Sequence, residues 1–172
     1  RNAILSGESE SVIAGGMENM SLTPYLMLEA RTGFRMGEKK ILDSMVFDGL
    51  WDPYNNFHMG NAAELCATEC KITREDQDNY AIESYQRSAE AYKKGYFKDE
   101  IVPVTVETAE VVKGKVRKHV ETVTLDDGVR GDTSVAGLAQ LKPAFAGDGT
   151  TTAGNASQMT DGAAAARVVI CE

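Results

Sequence analysis

What the sequence has little of already narrows its chemistry. It holds two histidines, three cysteines, four prolines and one tryptophan among 172 residues. A closed zinc site needs about four nitrogen or sulfur ligands at suitable spacing, and only Cys66 and Cys70, at i and i+4, are spaced to face one ion. The other reading of that pair, small core residues on a packed helix, is the ordinary one for cysteine, so no metal is expected. Three cysteines are an odd set without the density of a disulfide scaffold, which favours a reducing, cytoplasmic compartment. No window approaches the roughly 18 apolar residues of a membrane span, and the first residues have no apolar signal core. Positive charge is also short: 18 Lys and Arg against 26 Asp and Glu leave a net charge of -8. That balance argues against a dedicated nucleic-acid surface.

What remains is an ordinary globular composition, 42% hydrophobic and 26% charged, long enough for one domain with a sizeable core. Both ends read as parts of something longer, a helix tail at AIL-SG and a strand at RVVICE. SVIAGG, Ser11 to Gly16, has the pattern of a buried strand closed by a glycine turn. Met17 to Lys40 is non-periodic, broken by Pro24, Gly33 and Gly37, and holds four of the seven methionines. Such a stretch left in water would be an association surface, and it is expected to be an extended interface loop. DSMVFDGLWD, Asp43 to Asp52, suits a short helix ended by Gly49 and Pro53.

His58 to Lys71 reads as a helix with Ala62, Cys66 and Cys70 on one stripe and Ala63 and Ala67 beside it. The clearest helix follows, with Thr73 as cap, Glu75 and Asp76 in the first turn, and Lys93 and Lys94 before a Gly95 stop. Ile82, Tyr85, Ala89 and Tyr92 form its apolar stripe. IVPVTVE and HVETVTL alternate as an antiparallel hairpin does, with a turn expected at Gly114 and Lys115. Ser134 to Phe145 begins as a helix that ends before Pro143, and AAAARVVI favours a strand.

Three places offer binding chemistry. His58 opens a helix, where N–H groups and the dipole favour an anion and disfavour a protonated imidazole. On these residues alone it reads equally as a capping or packed histidine. Arg130 lies among acids and could be paired with Asp126, Asp127 or Asp132. GTTTAGNASQMTDGAAAA, Gly149 to Ala166, is built from Gly, Ala, Thr, Asn and Ser with Asp161 as its only charge. It lacks the signatures of a phosphate loop. Gly and Ala let a ligand approach main-chain groups, and Asn155 and Ser157 add neutral donors and acceptors, so the stretch suits a chain of amides joined by short alkyl links.

AGGMENMS (Ala14 to Ser21), GLWDPYNNFHMGNAAE (Gly49 to Glu64), KDEIVPV (Lys98 to Val104), LKPAF (Leu141 to Phe145) and the Gly149 to Ala166 stretch together resemble the thiolases, especially acetyl-CoA acetyltransferases, over essentially the whole chain. The resemblance implies a thiolase-type α/β fold: part of an N-terminal five-stranded α/β half plus an inserted loop domain of helices and a β-hairpin. Residues 1-20 would end the core half, 21-159 would be the coenzyme A-binding loop domain with a tetramerisation segment at about 25-40, and 160-172 would carry the returning core strand, Gly162 to Ile170.

It also implies that Leu50, His58 and Met59 line the pantetheine and adenosine side of coenzyme A, that Arg130 lies by the nucleotide, and that Phe145, Ala153, Ala156 and Ser157 contact pantetheine. The family's nucleophilic cysteine in C-x-S, and its N-E-A-F, G-H-P and C-x-G motifs, are not in this sequence, and none of Cys66, Cys70 or Cys171 fits them. No catalytic residue is therefore expected here. Coenzyme A enters as substrate, with no separate cofactor. The implied activity is acyl transfer between a cysteine and coenzyme A in fatty acid metabolism, condensing two acetyl-CoA to acetoacetyl-CoA or cleaving a longer 3-ketoacyl-CoA, in a homodimer or homotetramer. A non-catalytic acyl-CoA or lipid-binding relative is the alternative, and an interaction domain of a larger assembly a further one.

Overall fold

The computed structural model describes residues 1–169, so Cys171 and the end of the strand expected to reach Ile170 lie outside the described residues. The chain divides into two compact units: one runs from Arg1 to Ala62 and resumes at Ser157, and the other is Ala63–Ala156.

In the first unit a short helix, α1 (Asn2–Leu5), ends at Ser6 and the left-handed Gly7, as the helix-tail reading requires. Strand β1 (Ser11–Asn19) then pairs antiparallel with the last strand, from Ser11 opposite Val169 to Asn19 opposite Asp161. The expected turn at Gly15 and Gly16 is corrected: the strand runs straight through both. Gly15 faces its partner so closely that a Cβ would lie 2.7 Å from the Ala164 carbonyl oxygen, so the glycine serves close approach rather than reversal. Nor is the strand buried, since all but one of its residues are exposed. Beyond Asn19, Asp161 accepts the Ser21 N–H at 2.9 Å. Those donations from Ser21 hold its carboxyl below the ordinary aspartate pKa.

The methionine-rich segment carries only β2 (Tyr25–Leu26) and one turn of 3-10 helix at Ala30–Thr32, and β2 pairs with β3 (Leu42–Asp43). Met27, Leu28, Phe34 and Met36 are all exposed. The short helix expected at Asp43 to Asp52 is a single wide turn, Met45–Leu50, between β3 and β4 (Trp51–Asp52). Its start is set by Asp43, whose carboxylate takes the Met45 N–H at 2.9 Å and leaves Asp43 itself in the strand. β4 pairs with β5 (Phe57–His58).

Helix α2 (Met59–Cys70) starts in the first unit and belongs to the second from Ala63 on. Its covered side is not the cysteine stripe. Gly60 and Ala67 are buried and Glu64 partly so, whereas Cys66 and Cys70 are exposed, which overturns the core reading of the two thiols. They face each other closely enough to hydrogen-bond, and that contact raises the Cys70 pKa. Among the described residues no three His, Cys, Asp or Glu come together as a metal site.

Helix α3 (Arg74–Lys93) has the ends its sequence specifies. Thr73 and Asp76 form a reciprocal capping box. At the other end Gly95 is left-handed, with its N–H on the Tyr92 carbonyl and the Tyr96 N–H on that of Ala91. Ile82, Tyr85, Ala89 and Tyr92 of the expected stripe are half-buried, with Asp78 and Ala81 buried.

Strands β6 (Val104–Val112) and β7 (Lys115–Val123) form the expected hairpin, but the turn is Lys113 and Gly114, one residue before the expected position. Both have positive φ, 51° and 75°, the type I′ geometry whose twist matches the strands. Helix α4 (Val135–Ala139), capped by the Ser134 hydroxyl on the Gly137 N–H, packs on α3 and buries Leu138. β8 (Asp161–Val169) closes the ribbon with β1. Among the described residues no helix is long and apolar enough to cross a membrane.

Candidate functional site

The neutral segment from Gly149 is organised by charges it does not contain. In the Ala63–Ala156 unit it forms a loop bridged at its base, Pro143 opposite Thr152, with the Ala144 N–H on the Thr151 carbonyl. Its threonines point inward: Thr151 is buried and Thr152 has no exposed surface. On one side the Glu64 carboxylate of α2 accepts the Thr150 N–H at 2.9 Å, the Thr150 hydroxyl at 3.0 Å and the Thr151 N–H at 2.8 Å. Burial by itself would raise the Glu64 pKa, but the donations from Thr150 and Thr151 outweigh it and hold the carboxyl below the ordinary glutamate value.

On the other side stands α3. Asn155 accepts the Thr152 N–H at 2.7 Å and donates to the Thr150 carbonyl at 3.1 Å and to Asp78 at 2.9 Å. Asp78 is paired with Arg74 at 2.7 Å, and the same guanidinium reaches the Leu138 carbonyl at 2.6 Å. Gln77 donates to the Thr150 hydroxyl and Tyr85 to the Gly154 carbonyl. Asn155 is therefore committed to the loop's own shape, which corrects the expectation that its amide serves a ligand. Gly154 is needed for packing, since a Cβ there would lie 2.4 Å from Leu138 Cδ2.

The residues expected to line a ligand divide between the units. Phe145 and Ala156 are half-buried on the bridged segment, and Ala153 is exposed at its turn. Arg130 is exposed, in a loop that meets α3 so closely at Gly131 that a Cβ would touch Ala89. Among the described residues its guanidinium is ion-paired with none of Asp126, Asp127 and Asp132. Asp126 instead takes the Tyr92 hydroxyl at 2.5 Å. The other four lie in the first unit. Leu50 closes the wide turn, His58 ends β5, Met59 opens α2 and Ser157 is exposed. His58 caps the helix: its Nδ1 accepts the Gly60 N–H at 2.9 Å.

The sequence reading missed Glu64, Asp78 and Arg74. The available signal was a charge on a covered helix face: Glu64 lies four residues after Gly60 and three before Ala67, and Asp78 lies three before Ala81.

A family model for the thiolase N-terminal domain matches residues 1–172. The chain belongs to this thiolase family. Acetyl-CoA acetyltransferases of Pseudomonas aeruginosa and Chromobacterium violaceum are 49% and 50% identical to it over 163 residues, covering 95% of the chain and 40% of each relative. A solved acetyl-CoA acetyltransferase from Syntrophomonas wolfei superposes with a TM-score of 0.82 at 37% identity, covering 96% of the chain and 40% of that structure. The α/β thiolase-type fold expected from the motifs is thus the fold observed. The chain spans about two fifths of the length of these thiolase relatives.

Proposed function

We propose that this chain is the coenzyme A-holding part of a thiolase, an acyl-CoA acyltransferase that moves an acetyl or acyl group between a cysteine thiolate and coenzyme A. The observation that carries the proposal is the family match over all 172 residues, with relatives named acetyl-CoA acetyltransferase. The bridged loop supports it physically. Its outward residues are small and neutral, so pantetheine, a chain of amides and short alkyl links, can lie along Phe145, Ala153, Ala156 and Ser157 with main-chain groups within reach. His58 and Met59, with Leu50, contribute to the pantetheine and adenosine side. Arg130, exposed and among the described residues not ion-paired with Asp126, Asp127 or Asp132, is suited to the nucleotide phosphates.

In this reading residues 21–159 are the loop domain, about 25–40 is the tetramerisation segment, and the core strands lie on either side in sequence. The exposed Met27, Phe34 and Met36 support the interface role, and with it a homodimer or homotetramer. The substrates are acetyl-CoA, acetoacetyl-CoA or longer 3-ketoacyl-CoA, and the site is cytoplasmic. The nucleophile and its activating groups, which acyl transfer through a thiolate requires, belong to parts of the polypeptide beyond these residues. The test is thiolysis of acetoacetyl-CoA by the intact natural polypeptide before and after cysteine alkylation. Activity lost on alkylation is expected; activity that survives it overturns the covalent mechanism.

A further inference from the structure

We propose that Glu64 is a positioning residue for coenzyme A, fixing the main chain of residues 149–156 into the shape the ligand meets without touching the ligand itself. The inference rests on the coenzyme A reading above. In a loop of Gly, Ala, Thr and one Asn, only Asn155 can set the conformation from within, and glycine in particular leaves many backbone conformations open. The remaining order must come from outside. Glu64 supplies it by collecting the Thr150 and Thr151 N–H groups and the Thr150 hydroxyl on one carboxylate.

Carboxylate and loop are fitted to each other at Gly149, where a Cβ would sit 2.5 Å from Glu64 Oε1. The Thr150 hydroxyl also accepts from Gln77 at 2.8 Å, so the clamp is shared with α3. A ligand that reads main-chain groups loses affinity when it must order them itself, because that entropy is then charged to binding. The clamp therefore acts on affinity for coenzyme A, not on the chemical step. Glu64→Gln keeps the side chain's size but turns one acceptor oxygen into an NH₂ donor that meets the Thr150 donors.

The test begins with calorimetric titration of coenzyme A into the intact natural polypeptide. Thiolysis is then measured at varied coenzyme A for the wild type, Glu64→Gln, the milder Thr150→Ala, and Arg87→Gln as an exposed control on α3. Loss of charge-assisted hydrogen bonds predicts a KM for coenzyme A raised about tenfold in Glu64→Gln, with kcat within about twofold. Thr150→Ala should change in the same direction by less, and Arg87→Gln should match the wild type. A role confined to stability would lower the melting temperature and the active fraction and leave KM unchanged. An unchanged KM in Glu64→Gln overturns the positioning role while the coenzyme A reading stands. If Glu64→Gln does not fold, Thr150→Ala decides by the same criterion. Absence of coenzyme A binding by the wild type overturns both.

Discussion

The side-chain amide of Asn155 donates to Asp78 at 2.9 Å, joining the neutral loop to the buried face of α3 across 77 residues of sequence. Around this contact the same side chain holds two main-chain groups of the loop: Asn155 also takes the Thr152 N–H and serves the Thr150 carbonyl. Asn155→Ala strips the half-buried partner from two main-chain groups, and an unsatisfied buried group costs about 1–3 kcal/mol. Urea unfolding should show that loss in its midpoint. A midpoint equal to the wild type would mean that water replaces the amide without cost.

Glu64 gives the loop a pH dependence whose sign is fixed. Its folded pKa is lower than its unfolded one, so its contribution is present above the ordinary value of 4.5 and is lost as pH falls through the lower folded value. The stability gap between wild type and Glu64→Gln is therefore expected to be widest at neutral pH and to narrow below about 4.5. Denaturant unfolding of both proteins between pH 7 and pH 3 measures it, and a gap that stays constant contradicts the assignment.

Two nearby glycines should respond in opposite ways to the same substitution. At Gly154 a Cβ meets Leu138 and Leu141 at 2.4 and 2.6 Å, and overpacking of this sort typically costs about 1–3 kcal/mol. At Gly147 nothing lies within 4 Å, so alanine there is expected to stabilise by about 0.4–1 kcal/mol through the unfolded chain. Thermal melting of Gly154→Ala and Gly147→Ala should move the midpoint down and up respectively. Equal shifts would contradict the packing at Gly154.

The Lys113 and Gly114 turn predicts a second contrast. Gly114 has φ of 75°, so Gly114→Ala should cost about 1–2 kcal/mol. Lys113, at φ 51°, is in a position that asparagine tolerates better, and Lys113→Asn should be neutral or stabilising. Amide exchange in the Val112 and Lys115 pair reads the hairpin directly. Unchanged exchange in Gly114→Ala would sink the type I′ assignment.

Much of the architecture could be read locally. The caps of α3 depend on Thr73, Asp76 and Gly95, all within a turn of the helix ends they stop, and the hairpin depends on alternation over nine residues. Errors came where a local signal has two physical causes. A glycine pair signals a turn or a close approach, and Gly15 proved to be the second because Ala165 lies opposite and the Ala164 carbonyl crowds its Cβ position. Small residues on one side of α2 suggested a buried cysteine stripe, but the covered face is the one with Glu64, which no composition rule favours for burial.

For the candidate site the motifs identified the family, and the family indicated which ligand the small neutral loop would suit. The sequence by itself determined the helices and the hairpin, together with the absence of charge along the loop, because those follow from neighbours within a few residues. Tertiary structure alone decided that Glu64, Asp78 and Asn155 shape that loop. Their partners lie 77 to 87 residues away, and no local pattern encodes which distant carboxylate will collect a given N–H.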